Sequence, residues 1–171
     1  MLGKLGGEVQ TVDLYNVKMR PVDAHLLSKR DSLLNEGRTD DEMFSLARQF
    51  SQADIIVIAA PYWDLMFPAV LKVYLENITV CGITFRYSDK GVPESLCKAE
   101  KLFYVTTAGG FIGENNFGFD YINAIAKGFF GIGNVKFFSA EGLDIFGADA
   151  DGIMQKAKEN ILKNVGKGLS L

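Results

Sequence analysis

Residues 53–78 read ADIIVIAAPYWDLMFPAVLKVYLENI, and this stretch decides the fold. It begins with an uninterrupted apolar run over residues 55–60, breaks at Pro61, and continues from Phe67 with apolar residues at helical spacing. An apolar run of this length without polar alternation is typical of a parallel strand that is buried on both faces. The spacing after Phe67 predicts an amphipathic helix. Strand, loop and helix in this order predict the first half of a βαβ unit.

Strand and helix patterns alternate along the rest of the chain, without an internal repeat. This alternation predicts one α/β domain over residues 1–171, built as a three-layer, doubly wound parallel sheet. Residues 1–5 fit the last turn of a helix. The further predicted strands are residues 8–14, 101–107 and 135–140, and the further predicted helices are residues 21–35, 39–50, 119–130 and 149–165.

Residues 81–100 interrupt this alternation. Ile83, Phe85 and Tyr87 alternate with polar residues, and SDKG at residues 88–91 is a turn sequence. The pattern predicts an excursion or small hairpin rather than a strand of the central sheet. Two aromatic side chains on one face suit a segment that covers a ligand or a partner chain. The alternative is that they pack against their own domain.

Composition argues against several classes of function. The net charge of −3 and the lack of a basic stripe argue against nucleic acid as a partner, because phosphate binding needs a basic face. No stretch approaches membrane-spanning length, and the start lacks the apolar segment of a signal peptide. We therefore predict no membrane association and a cytoplasmic location. Cys81 and Cys97 form no CxxC pair and His25 is the one histidine, so we predict no metal site.

Two loops follow predicted strands at their carboxyl ends, where open α/β sheets bind ligands. One is PYWDL at residues 61–65, and the other is TTAGG at residues 106–110. The aromatic side chains offer flat apolar surface, the glycines let a ligand approach the backbone, and amide groups of both loops could bind a planar heterocycle. The alternative is that the glycines form only a turn and the aromatic residues only a hydrophobic staple.

The motifs after residue 53 occur in an order that resembles the FMN-dependent NADH-azoreductase and NAD(P)H:quinone reductase family. They are AAPYWDL, PAVLK, GITFRY, TTAGG and GFFGIGNVKFFSAEGL. The resemblance implies a flavodoxin-like fold, a substrate wall that contains Phe85, Tyr87 and Phe111, and no side chain that acts as a catalytic acid or base. The residues that it implies around the FMN ring are Tyr62, Trp63, Asp64, Leu65, Thr107, Ala108, Gly109 and Gly110.

The resemblance further implies a ping-pong reaction. NADH or NADPH would reduce the flavin and leave, and a quinone or azo compound would then take the electrons. Members of the family are homodimers with flavin at the subunit boundary. The alternative function is that of a flavodoxin-like protein without catalytic activity, which binds FMN weakly or not at all and acts as a binding or interaction module.

Three departures from the family pattern are visible. Asp64 stands where the family commonly has asparagine, and Ala108 stands where some members have arginine. Family members also begin with a central strand and a loop that binds the FMN phosphate, whereas the first residues here align with the end of the helix after that loop. We therefore expect a flavodoxin-like sheet without its usual first, central strand, and a weakened FMN affinity.

Overall fold

Three parallel strands form the central sheet of the computed structural model, which describes residues 7–166. In sheet order they are β1 (Ile55–Pro61), β4 (Lys101–Thr107) and β5 (Asn134–Ala140), while β2 (Phe85–Tyr87) and β3 (Pro93–Ser95) form a separate antiparallel hairpin. Ile55 pairs with Lys101, and Lys101 pairs with Asn134, so the three parallel strands begin at one edge of the sheet. This arrangement confirms the predicted doubly wound sheet.

Within residues 7–166, five α-helices flank the two faces of the sheet. They are α1 (Ala24–Asn35), α2 (Ser45–Gln52, after a short 3₁₀ helix, Glu42–Phe44), α3 (Ala69–Ile78), α4 (Phe117–Gly128) and α5 (Ala150–Gly166). The larger apolar cluster contains residues of α1 to α4. A smaller cluster joins Ile161 and Val165 of α5 to Phe103 and Phe138 of the sheet. Helices on both faces confirm the three layers. Within residues 7–166, no helix is long and apolar enough to cross a membrane.

The helix predicted from residue 67 begins two residues later. Pro68 is its N-cap with a ψ of 145°, so the helical backbone starts at Ala69. The predicted apolar face of this helix is confirmed, because α3 buries Leu71, Leu75 and Ile78. As the crossover between two parallel strands, α3 carries the chain from the carboxyl edge of the sheet back to the amino edge.

The β2–β3 hairpin confirms the hairpin predicted within residues 81–100, and it lies at the amino edge of the sheet. Lys98 N–H donates to the carbonyl oxygen of Ser51 (2.9 Å), at the end of α2. The Ser95 hydroxyl donates to the carbonyl oxygen of Phe130 (2.6 Å), shortly before β5 begins. Ser51 precedes β1 and Phe130 precedes β5, so the hairpin lies at the amino ends of the parallel strands and not at their carboxyl ends.

One face of β1 is not covered by the described residues. Ile56 and Ile58 are buried, but Val57 is 36% exposed and Ala59 is also exposed. The prediction that both faces of this strand are buried is therefore wrong within residues 7–166. The physical reason is that α5 packs on Phe103 and Phe138, in β4 and β5, and this cluster reaches β1 at Ile55 but leaves Val57 and Ala59 exposed.

Residues 8–14 form no strand, which corrects the prediction for this segment. The segment packs against the core through Val12 and Leu14, and Gln49 donates a hydrogen bond to Gln10 (Nε2 to Oε1, 2.9 Å). A cleft of about 320 Å³ lies between residues 12–15 and the end of β1. A strand forms only when its backbone groups pair with a neighbour. Across this cleft, no strand of the described residues 7–166 lies close enough to pair with residues 8–14. The helical turn predicted at residues 1–5 lies outside the described residues.

Candidate ligand site at the carboxyl edge of the sheet

The two loops predicted to carry the site are adjacent. β1 and β4 pair along their whole length, and Tyr62 N–H extends the ladder by donating to the carbonyl oxygen of Thr107 (2.8 Å). The Tyr62 hydroxyl also donates to the carbonyl oxygen of Asn115 (2.8 Å), beyond the second loop. Tyr62 therefore joins the PYWDL loop to the TTAGG loop, and both face one crevice as predicted.

The PYWDL loop closes into a tight two-residue turn. Trp63 and Met66 exchange two backbone hydrogen bonds of 2.8 Å each, while Asp64 and Leu65 have φ of 49° and 67°. Turns of this shape favour Asn and Gly, and a left-handed backbone costs an ordinary residue about 1–2 kcal/mol. Within residues 7–166, the N–H groups of Asp64 and Leu65 donate to no protein atom. The strained turn therefore presents two amide donors.

The TTAGG loop also presents amide donors, and its carbonyl groups are bonded within the chain. Leu143, Asp144 and Gly142 N–H groups donate to the carbonyl oxygens of residues 108, 109 and 110, at 3.2, 2.9 and 3.0 Å respectively. By contrast, the N–H groups of residues 109, 110 and 111 find no acceptor among the described part of the chain. Three consecutive donors thus lie beside the two on the neighbouring turn.

The two glycines of this loop have different roles. A Cβ atom at Gly109 would meet the carboxylate of Asp144, an exposed side chain that would have to move aside. No atom comes within 4 Å of the corresponding position at Gly110. Gly109 thus lies against a side chain of its own chain, whereas Gly110 leaves open space at the surface, where a ligand can approach the backbone.

Apolar side chains surround the donors. Trp63 is 55% exposed, Leu65 46% and Phe111 77%, while Ala108 is buried beneath the loop. Thr107 is half-buried at the end of β4 and contributes its backbone to the ladder. The predicted ring-binding residues on both loops are therefore brought together at one edge, with Ala108 as support rather than surface.

Sequence reasoning missed a third loop, residues 141–149, which follows β5. It supplies the backbone donors to the TTAGG loop, and it exposes Ile145 and Phe146 at the same edge. The Glu141 carboxylate accepts hydrogen bonds from Ile112 N–H (3.0 Å) and from the Ser139 hydroxyl (2.6 Å). The available signal was topological, because any loop that follows a parallel strand reaches this edge.

Comparisons with known proteins agree with this geometry. Residues 1–165 match the family described as having a flavodoxin-like fold. FMN-dependent NADH:quinone oxidoreductase 2 of Clostridium acetobutylicum is 37% identical over 165 residues, which cover 91% of this chain and 81% of that protein. The FMN-dependent NADH:quinone oxidoreductase of Lachnoclostridium phytofermentans is 35% identical over 157 residues, covering 89% and 77%. The chain belongs to the flavodoxin-like FMN-dependent NADH:quinone oxidoreductase family.

Solved structures place the chain in the same fold. The azoreductase from Bacillus anthracis strain Sterne superimposes with a TM-score of 0.76 at 26% identity, covering 91% of this chain and 80% of that one. An FMN-dependent NADH-azoreductase from Bacillus anthracis strain Ames Ancestor, solved in complex with FMN, has a TM-score of 0.77 at 21% identity, covering 93% and 80%. The flavodoxin-like fold predicted from the motifs is therefore confirmed.

The residues at the carboxyl edge fit the ring of the cofactor that gives this family its name. A flavin ring has several hydrogen-bond acceptors along one edge and two apolar faces, which match a row of amide donors beside Trp63. The three loops, residues 61–68, 106–116 and 141–149, contain no Lys, Arg or His, so they supply no cation for the FMN phosphate. Their acidic residues are Asp64, Glu114, Glu141, Asp144 and Asp149.

Two residues predicted for the substrate wall do not join this edge within one chain. Phe85 is buried, with its ring centroid 4.9 Å from that of Phe129 and 5.3 Å from that of Tyr87. Tyr87 is 55% exposed, but it lies on the hairpin at the amino edge. Because the hairpin and the two loops lie at opposite ends of the strands, residues 81–100 do not cover the site of their own chain.

Proposed function

We propose that this chain is an FMN-dependent NAD(P)H oxidoreductase that transfers electrons, in a ping-pong reaction, to quinones or azo compounds. The observation that carries the proposal is the row of amide donors on two neighbouring loops, at residues 64–65 and 109–111. Similarity to curated FMN-dependent NADH:quinone oxidoreductases at up to 37% identity supports an enzyme over a flavodoxin-like binding module without activity.

The chain's own residues bind and orient in this reaction. Hydride acceptance and release are the chemistry that FMN supplies when it is bound. The amide donors of both loops would bind the acceptor edge of the ring, and hydrogen bonds from fixed backbone donors stabilise negative charge that develops there. Trp63 would lie against an apolar face of the ring, and Gly110 leaves the space for close approach. We assign no side chain as a general acid or base.

We also propose that the site is completed by a second copy of the chain. Large apolar side chains are exposed around the carboxyl edge, which is typical of an interface. The β2–β3 hairpin can reach such a site only from another subunit, where Tyr87 would face Phe111 across the substrate. Phe85 would then support Tyr87 through their edge contact. The exposed apolar residues at the carboxyl edge are Trp63, Leu65, Phe111, Phe117, Ile145 and Phe146.

A cytoplasmic location, with small-molecule substrates rather than nucleic acid or membrane as partners, completes the proposal. The net charge of −3 supports the exclusion of nucleic acid. NADH is the favoured donor, because the relatives carry it in their names and the acidic loops repel the additional phosphate of NADPH.

Reconstitution with FMN tests the function directly. The purified chain is expected to quench flavin fluorescence when it is titrated with FMN. With FMN in excess and oxygen absent, it is expected to accelerate flavin bleaching by NADH, and the colour is expected to return when a quinone is added. A chain that neither quenches FMN fluorescence nor accelerates NADH oxidation at millimolar FMN would rule out the enzyme. Sedimentation measures the assembly, and a Phe146→Asp variant is expected to shift the mass from two chains towards one, because Phe146 is fully exposed at the proposed interface.

A further inference from the structure

Glu141 connects the candidate cofactor loop to the end of β5. Its carboxylate accepts one hydrogen bond from Ile112 N–H (3.0 Å) and another from the Ser139 hydroxyl (2.6 Å). Hydrogen bonds to an ionised carboxylate are stronger than those between neutral groups. Ser139 lies within β5, so the carboxylate is held from the sheet and in turn holds the loop.

The contact at Ile112 also determines where the row of free donors ends. The amides of residues 142–144 donate to the carbonyl groups of residues 108–110. Within residues 141–149, the Glu141 carboxylate is the group that accepts a hydrogen bond from an amide of the TTAGG loop or the residues that follow it. The free donors are therefore residues 109–111 and no further. Phe111 is exposed and Gly113 has a φ of 60°, whereas the Ile112 side chain is buried, so Ile112 anchors the loop through both its side chain and its amide.

We propose that Glu141 is a positioning residue, which orders the loop so that the amides of residues 109–111 are presented to the flavin ring. The inference rests on the proposed function, since it assigns a role within that site. Without the carboxylate, Ile112 N–H loses its acceptor, and the backbone between Gly110 and Ile112 is held by the Gly142–Gly110 hydrogen bond and the buried Ile112 side chain. Binding then has to order this short stretch as well as the ligand, and that ordering weakens affinity.

Three variants separate geometry from charge. Glu141→Ala removes both hydrogen bonds. Glu141→Gln keeps both, because the amide oxygen can accept from Ile112 N–H while the amide nitrogen donates to the Ser139 oxygen, yet it removes the charge. Glu114→Ala is the matched control, because Glu114 is an exposed carboxylate in the same loop and makes no hydrogen bond within the described part of the chain.

The probe is lumiflavin, a flavin ring without ribityl chain or phosphate, and its affinity is measured from the quenching of its fluorescence. Glu141→Ala is expected to bind lumiflavin about tenfold more weakly than the unaltered chain, which is the size of effect that losing one hydrogen bond in the ordered loop has on an equilibrium. Glu141→Gln and Glu114→Ala are expected to stay within about twofold. Equal binding by Glu141→Ala would overturn the proposal, and so would equally weak binding by Glu141→Gln, because charge rather than positioning would then be responsible.

Amide hydrogen exchange of the flavin-free protein tests the positioning independently of the function. The Ile112 amide is expected to be protected in the unaltered chain and in Glu141→Gln, and to lose protection in Glu141→Ala while the amides of β4 and β5 keep theirs. An unprotected Ile112 amide in the unaltered chain, or a loss of protection across the whole sheet in Glu141→Ala, would contradict a local positioning role. Failure of the unaltered chain to bind lumiflavin or FMN would instead refute the proposed function.

Discussion

At the scale of single residues, the least expected feature is the left-handed backbone of Leu65. Its φ of 67° follows a φ of 49° at Asp64, and neither residue is a glycine. Asp tolerates this conformation through its short polar side chain, whereas Leu does not. The two reciprocal hydrogen bonds between Trp63 and Met66 enforce the turn. Strain of this kind accumulates where a backbone group must point at a ligand, which here concerns the amides of residues 64 and 65.

Replacing Leu65 with glycine is expected to relieve this strain. The free energy of unfolding should rise by up to about 1 kcal/mol, since glycine adopts positive φ without a steric cost and Leu65 is already 46% exposed. Leu96→Gly is the matched control, because Leu96 is 37% exposed without a positive φ, and it should lower stability instead. Denaturant unfolding measures both. A Leu65→Gly variant that loses as much stability as Leu96→Gly would show that the turn is not strained.

Replacing Gly109 with alanine is expected to displace the Asp144 side chain. The new Cβ would meet the Asp144 carboxylate, which is exposed and can move aside, so we expect a loss of at most about 1 kcal/mol in the free energy of unfolding. Asp144→Ala in the same chain should restore most of that loss, because the two positions are in contact. Gly133→Ala, at a site with open space, serves as control. Additive effects of the two substitutions would contradict the contact.

At the scale of elements, the β2–β3 hairpin is a unit that is fixed at both ends. It begins after Cys81, which is exposed, and it ends at Cys97, whose thiol donates to the carbonyl oxygen of Thr84 (3.3 Å). Burial raises the pKa of the Cys97 thiol to about 11, against a smaller opposing effect from its hydrogen bond with Ser95. The two thiols therefore report separately on the docking of this element.

Alkylation is expected to distinguish the two cysteines. The thiolate is the reactive form, and a pKa near 11 leaves Cys97 almost entirely protonated at pH 8. Iodoacetamide should therefore modify Cys81 first, and the rate at Cys97 should keep rising as the pH approaches 11. Peptide mass spectrometry over a pH series measures both rates. Equal rates at pH 8 would indicate that the hairpin does not stay docked.

The sequence predicted the elements whose signals are local and missed the features that depend on their neighbours. The helix α3 and the strand β1 both form where the apolar pattern predicts them, since each buries one apolar face, and that burial stabilises it in any α/β arrangement. Residues 8–14 have a strand-like composition, but they form no strand without a neighbouring edge. The position of the hairpin followed from the direction of α3, which local pattern does not encode.

Part of the candidate site was likewise predictable from the sequence, and part was not. The order of strands and loops was sufficient to bring Tyr62, Trp63 and Gly109 to one edge. The reciprocal turn at Asp64 and Leu65, and the support from Glu141, depend on contacts between residues distant in sequence. The residue types at positions 65 and 141 do not reveal these roles. Leucine disfavours positive φ, and a single glutamate after a strand can serve many purposes.

At the scale of the whole molecule, negative charge is concentrated at the site. The net charge is −3, and the three loops at the carboxyl edge contribute five acidic residues and no basic one, so 18 basic and 16 acidic residues remain in the rest of the chain. Clefts lined by one sign of charge attract or repel approaching ligands over about a Debye length, which is near 10 Å at 0.1 M salt. Acceptors that carry negative charge should therefore reach this edge more slowly than neutral ones.

A pair of matched acceptors tests this expectation. For the FMN-loaded protein, kcat/KM with 1,4-naphthoquinone should be independent of salt, whereas kcat/KM with its 2-sulfonate should rise as salt screens the repulsion. Asp64→Asn should increase kcat/KM for the sulfonate by roughly twofold at low salt. Asp31→Asn, an exposed change on α1, should leave it unaltered. A sulfonate rate that falls with added salt would mean that the edge attracts anions.

The outer edge of β1 affects how the molecule behaves in concentrated solution. Within residues 7–166 no strand pairs with that edge, and Val57 and Ala59 expose an apolar surface beside it. Unpaired strand edges of this kind template the addition of strands from other molecules, and a lysine at such an edge blocks growth. Protein stocks should therefore scatter more light with time and concentration, and a Val57→Lys variant should stay clear for longer. The strand that organises the fold thus also offers an edge to which strands of other molecules can add.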